Sequence, residues 1–132
     1  MKFLLDANVL IALTDVDHVA HARVTPWFKK NAGEFATCPI TQGALIRYWV
    51  RVRPHTTMRD AKEFLKATVS MPGHEFWPDS LSYLDLPTRG ITGYRMVTDA
   101  YLAALARKHK GRLATLDRAL ADLHGPDAIL IS

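Results

Sequence analysis

The chain has 132 residues (14.8 kDa), 48% hydrophobic and 23% charged, which suits one globular domain and excludes a disordered chain. Seventeen Lys and Arg against 13 Asp and Glu leave a formal charge of +4, compatible with a polyanionic partner without establishing one. A single cysteine excludes an internal disulfide and favours a reducing cytoplasm.

Phe3-Leu4-Leu5 reads as a short buried strand ending at Asp6, and Val9 to Leu13 continues apolar. The run resembles the opening of a signal peptide, but Asp6 and Asn8 interrupt it and Asp15-Val16-Asp17 replaces a cleavage site. No stretch approaches the roughly 18 apolar residues that a bilayer span needs. Asp17 to Lys30 has helical spacing through Val19, Ala22, Val24, Trp27 and Phe28, and Asn31 and Gly33 close it.

Phe35 to Cys38 predicts a second strand, stopped by Pro39. Thr41 is a candidate cap for a helix carrying Leu45, Ile46, Trp49 and Val50, and Thr56 or Thr57 opens the next. His74 to Trp77 is a weaker strand, followed by a loop over 78–93 with room for one helical turn. Thr98 fits an N-cap, with Asp99 in the first turn of a helix that ends in Arg107-Lys108-His109-Lys110 before Gly111. Arg112 to Thr115 is a strand, Asp117 to Leu123 a short helix and Ala128 to Ile131 a last strand. Apolar strands alternating with helices predict a three-layer α/β/α domain around a mainly parallel sheet of about five strands.

Open parallel sheets bind ligands beyond the carboxyl ends of their strands. Asp6 and Asp117 follow two of the strands and Asp99 opens the long helix, so three carboxylates can meet on one rim. Unit charges about 4 Å apart repel by about 4 kcal/mol at an effective dielectric of 20. A divalent cation relieves that repulsion, and oxygen donors select Mg²⁺ or Mn²⁺ over zinc. Equally, Asp99 and Asp117 are residue types that commonly start helices without any metal. His18 and His21 have a helical metal-binding spacing but no third ligand nearby.

The runs Phe3-Leu4-Leu5-Asp6-Ala7-Asn8-Val9-Leu10, Val97 to Ala106 and Gly111 to Asp117 resemble PIN-domain nucleases. With Thr37-Cys38-Pro39-Ile40-Thr41 and Phe76-Trp77-Pro78-Asp79, they resemble the VapC toxins of bacterial toxin–antitoxin pairs over essentially residues 1–132. The resemblance implies one PIN domain, a Mg²⁺-dependent ribonuclease acting on structured RNA such as tRNA or rRNA, a VapB-type antitoxin and a homodimer. It makes Asp6 and Asp99 the main metal ligands, has Asp117 complete the cluster, and makes Asn8 and Thr115 the groups that orient them. Where the family has Glu after the second strand, this chain has Gln42, which keeps the shape and removes one charge. Either the natural chain is impaired or Gln42 is an inactivating substitution, and the isosteric exchange favours the second.

Arg47 and Arg51, four apart on one helix, and Arg95 near the rim are candidate RNA contacts; Arg53, His55 and Arg59 follow them. The cations at 107–112 are explained equally well by the helix dipole. A receiver-type phospho-acceptor would need paired acids after the first strand, and here Asp6 stands alone. A non-catalytic RNA- or antitoxin-binding module remains open because of Gln42. If position 42 is catalytic, Gln42→Glu raises Mg²⁺-dependent RNA cleavage; equal cleavage by the two forms removes it from the catalytic set.

Overall fold

The computed structural model describes residues 1–31 and 33–132. The elements run β1 (Phe3–Leu5), α1 (Ala7–Thr14), α2 (His21–Asn31), β2 (Phe35–Thr37), α3 (Pro39–Val52), α4 (Met58–Val69) and β3 (His74–Phe76). After a 3₁₀ turn at Tyr83–Asp85 come α5 (Arg95–Lys108), β4 (Arg112–Thr115), α6 (Arg118–His124), a second 3₁₀ turn and β5 (Ala128–Leu130). The strands form one sheet in the order β3-β2-β1-β4-β5, every neighbouring pair parallel. From β1 the chain builds outward through β2 and β3, then crosses to the other side for β4 and β5. The topological switch point lies between β1 and β4, where a doubly wound sheet leaves a crevice.

Alternation along the strands divides the core. Phe3, Leu5, Phe35 and Ala114 pack against α1 to α4, whereas Leu4, Ala36 and Leu113 pack against α5 and Leu120 of α6. Both faces are therefore covered, giving the three-layer architecture that continuous apolar strands imply. Among the described residues no helix is long and apolar enough to cross a membrane.

Three local expectations change. The second helix starts at His21 rather than Asp17, because Asp15 organises the preceding turn: its Oδ1 accepts from the Asp17 N–H (3.0 Å) and its carbonyl from the His18 N–H. Thr41 is not the cap of α3 but lies in its first turn, where its hydroxyl reaches back to the Cys38 N–H (3.0 Å). Thr98 caps nothing: α5 winds up from Gly93 and Tyr94, so Thr98 and Asp99 fall in its second turn. There the dipole of the helix start has largely faded, so Asp99 sits without that support.

Asp15 is 3% exposed and ties α1 to the far end of α3. Its Oδ2 accepts from the Tyr48 hydroxyl (2.5 Å) and its Oδ1 from Arg53 Nη2 (2.8 Å), which also bonds Asp17. Burial alone would raise the Asp15 pKa, but Tyr48, the Asp17 N–H and Arg53 together hold it below the usual carboxylate range. Asp15→Ala removes the shared acceptor of Tyr48, Arg53 and the Asp17 N–H and is expected to cost about 2 kcal/mol; Tyr48→Phe, losing one bond, is expected to cost about 1 kcal/mol. Because the folded pKa is depressed, the wild-type advantage over Asp15→Ala exists above the unfolded pKa and fades on acidification through the folded one. Urea melts of both variants at neutral and acidic pH measure this.

Candidate metal and nuclease site

The carboxyl ends of β1 and β4 carry the centre of the site. Asp6 follows β1, is buried at 7% exposure, and caps α1, with Oδ1 accepting from the Ala7 N–H at 2.8 Å. Its Oδ2 accepts from the Thr115 hydroxyl at 2.8 Å, across the switch point from the end of β4. The same Thr115 oxygen accepts from the Asp117 N–H (3.1 Å), and Asp117 Oδ1 caps α6 through the Leu120 N–H (3.1 Å). Thr115 thus holds Asp6 and shapes the turn that carries Asp117. Asn8 is exposed and, among the described residues, hydrogen-bonds none of the carboxylates.

Asp99 enters from α5, on the sheet face that Leu4 and Leu113 also occupy. Burial, then the negative charges of Asp6 and Asp117, push its carboxyl up to about 6. Asp6 is raised too, chiefly by burial, against the hydrogen bonds from Thr115 and Ala7 and with the charge of Asp117 adding to the rise. The structure therefore brings Asp6, Asp99 and Asp117 within electrostatic reach of one another. Among the described residues, no three His, Cys, Asp or Glu side chains close into a finished coordination shell. Both Asp6 oxygens and one Asp117 oxygen already accept hydrogen bonds from the protein. Even so, an all-oxygen donor set with a carboxyl forced towards neutrality fits a hard divalent cation, which would relieve the repulsion.

Gln42 lies in the second turn of α3 and donates from Nε2 to the Thr37 hydroxyl (3.0 Å), which also meets His74 Nε2 (2.8 Å). Its amide is engaged with Thr37 rather than with a carboxylate. Of the candidate RNA contacts, Arg47 and Arg51 are exposed and line a groove with Ile11, Tyr48 and Met58. Arg95 opens α5 one turn before Asp99, with its guanidinium 5.7 Å above the Tyr94 ring. Arg53 is drawn away to Asp15 and Asp17. The 107–112 cations lie where α5 ends and β4 begins, at the opposite edge of the sheet. His18 and His21 serve the chain itself: His18 Nδ1 accepts from the Ala20 N–H and His21 Nδ1 lies 2.7 Å from the Ala12 carbonyl. Cys38 is fully buried, and burial raises its thiol pKa, as an inert core cysteine requires.

Comparison with known proteins decides the family. The PIN domain model matches residues 3–125. Ribonuclease VapC29 of Mycobacterium tuberculosis is 50% identical over 131 residues, covering 99% of this chain and 97% of that one. The chain is a PIN domain of the VapC family. Ribonuclease VapC38 of Mycobacterium tuberculosis is 42% identical over 118 residues, covering 86% of this chain and 84% of its own. Two solved structures share the fold at low identity. One is VapBC2 from Rickettsia felis bound to a DNA fragment from their promoter (TM-score 0.66, 18% identity, 98% and 97% covered). The other is FitAB bound to an IR36 DNA fragment (TM-score 0.73, 17% identity, 97% and 94% covered).

In this VapC-family site, ionising Asp99 costs the native state. Its folded pKa lies above the unfolded value of 3.8, so stability falls as pH rises from there to about 6 and stays reduced above. In EDTA at neutral pH, Asp99→Asn is expected to raise stability by about 1 kcal/mol, after discounting for solvent screening. Mg²⁺ is expected to raise the wild-type Tm more than that of the variant. Thermal melts with Mg²⁺ and with EDTA make the comparison, and an unchanged or lower Tm for Asp99→Asn in EDTA contradicts the repulsion.

Proposed function

We propose that the chain works as one PIN domain, a divalent-metal-dependent endoribonuclease and the toxin of a type II toxin–antitoxin pair. In this reading it acts in the cytoplasm and hydrolyses a phosphodiester of structured RNA, tRNA or rRNA. The observation that carries the reading is the mutual charge of Asp6, Asp99 and Asp117 at the switch point, expressed in the raised pKa of Asp99. Asp6 and Asp99 would hold Mg²⁺, or Mn²⁺ in its place, with Asp117 completing the set. When bound, such an ion supplies Lewis-acid stabilisation of phosphoryl charge and a water of lowered pKa.

The chain's own residues do the rest. Thr115 and the Ala7 N–H fix the Asp6 carboxylate in one orientation, so ligand geometry is set before any ion arrives. Asp117, anchored on the first turn of α6, adds negative charge at the rim. Arg95 on α5, with Arg47 and Arg51 on α3, offers cations for the backbone phosphates of RNA. The cognate VapB-type antitoxin would suppress the site, and a homodimer is the assembly that accompanies this reading. A fit for the antitoxin is an amphipathic segment with acidic residues, because the apolar grooves along α3 and α4 are edged by Arg47, Arg51, Lys62 and Lys66.

The neutral Gln42 favours a second reading, a PIN module that binds RNA or antitoxin without cutting. In the first reading the same residue makes this form an impaired enzyme. Incubating RNA with the protein in Mg²⁺, in Mn²⁺ and in EDTA separates the two. Cleavage that EDTA abolishes and that Asp6→Asn or Asp99→Asn reduces at least about 100-fold is expected for the nuclease. RNA binding with no cleavage under any of these conditions supports the binding module.

A further inference from the structure

Residue 42 is wired to the edge strand β3 through a single hydroxyl. Thr37, the last residue of β2, is fully buried, and its Oγ1 sits between Gln42 Nε2 at 3.0 Å and His74 Nε2 at 2.8 Å. His74 opens β3, pairs with Phe35 in the β2–β3 register and meets the Phe35 ring edge to face at 5.3 Å. Three residues from α3, β2 and β3 therefore form one polar chain beside the rim, inside an otherwise apolar layer.

A hydroxyl has one hydrogen to give and two lone pairs to receive with, so the polarity at one end constrains the other. Gln42 gives its amide hydrogen to Thr37. The Thr37 hydrogen is then free to be given to His74 Nε2, in which case the ring carries its hydrogen on Nδ1. Burial lowers the His74 pKa, against the opposing charge of Glu75, which favours the neutral ring. A carboxylate at 42 would reverse every link, because an ionised Glu only accepts. Thr37 would turn its hydrogen to residue 42, and its lone pair would face a His74 Nε2 that now has to donate.

We propose that Thr37 and His74 are positioning residues for residue 42, and that the Thr37 hydroxyl relays the hydrogen-bond polarity of that residue to the imidazole. With Gln at 42 the relay holds the amide nitrogen against Thr37 and leaves Oε1 without a hydrogen-bond partner among the described residues, a neutral oxygen in place of the family's carboxylate. With Glu at 42 the relay runs backwards, from His74 through Thr37 to the carboxylate. The relay deepens the reading that position 42 belongs to the nuclease site and rests on that reading for its effect on RNA cleavage.

The test is ¹⁵N NMR of the histidine rings in the full chain, at a pH of about 8 where unperturbed imidazoles are neutral. His74 is assigned by its loss in His74→Gln. Wild type is expected to show a bare Nε2, and Gln42→Glu a protonated Nε2. Introducing Thr37→Val into the Gln42→Glu chain is expected to abolish that inversion, and Thr37→Ser to preserve it. The same tautomer in wild type and Gln42→Glu overturns the relay, and so does an inversion that survives Thr37→Val. If the valine variant does not fold, the Gln42→Glu comparison decides alone, since it leaves the core untouched.

Kinetics read the other layer. Thr37→Val in the Gln42 chain is expected to lower kcat for RNA cleavage about fivefold with KM unchanged, as suits the loss of one orienting hydrogen bond, and Thr37→Ser to restore it. An inverted tautomer with no change in cleavage in any variant sinks the catalytic reading of position 42 and leaves the relay standing. Altered cleavage without tautomer inversion does the opposite.

Discussion

The hydrogen bond from Thr115 to Asp6 is the contact on which the rest of the site depends. It joins two strands that are neighbours in the sheet yet 109 residues apart in the chain, and it does so at the switch point. A carboxylate buried to this degree would be expelled or protonated without donors. Thr115 supplies one and the first turn of α1 supplies the other. Once Asp6 is fixed, the Asp117 turn is fixed with it, because the same hydroxyl oxygen takes the Asp117 N–H. What remains is Asp99, brought in by α5 without a donor of its own among the described residues. The site is thus two hydrogen-bonded acids and one without a donor, with the carboxyls of both Asp6 and Asp99 pushed up in pKa.

The second organising element is structural and sits elsewhere. Asp15 is as deeply buried as Asp6, but its neighbours are Tyr48 and Arg53, so its pKa moves the other way. Two buried aspartates at opposite ends of α1 therefore have opposite electrostatic fates. One is matched by donors and a cation and secures packing between helices. The other is held by Thr115 and the Ala7 N–H with no cation beside it among the described residues, and burial raises its pKa. Burial is common to both, and the groups around each carboxylate decide which way its pKa finally moves.

The order of strands and helices was legible because short apolar runs separated by turn residues and amphipathic stretches leave few alternatives. So was the placement of Asp6 and Asp117 just past β1 and β4, since parallel strands end on one rim. Other features were hidden for identifiable reasons. Thr98 has the chemistry of a cap, but the helix has already started at Arg95. Arg53 looked like one more RNA-facing cation, and only tertiary structure shows it captured by Asp15. Thr37 and His74 are 37 residues apart and carry no local signal that they touch. Partners across strands are set by register, which a single sequence does not display. A threonine ending the strand beside the one that ends in Asp6 was the available hint.

The shallow sheet has an electrostatic consequence. Its strands are three or four residues long, so their carboxyl and amino ends are only about 10–13 Å apart. Asp99 and Arg107 stand on the same helix eight residues apart, about 12 Å along its axis. That is close to one Debye length at 0.1 M salt. The basic far edge, which never touches the rim, still contributes to the potential there. An approaching polyanion meets a field in which the acids are partly masked from behind, and that masking thins as ionic strength rises.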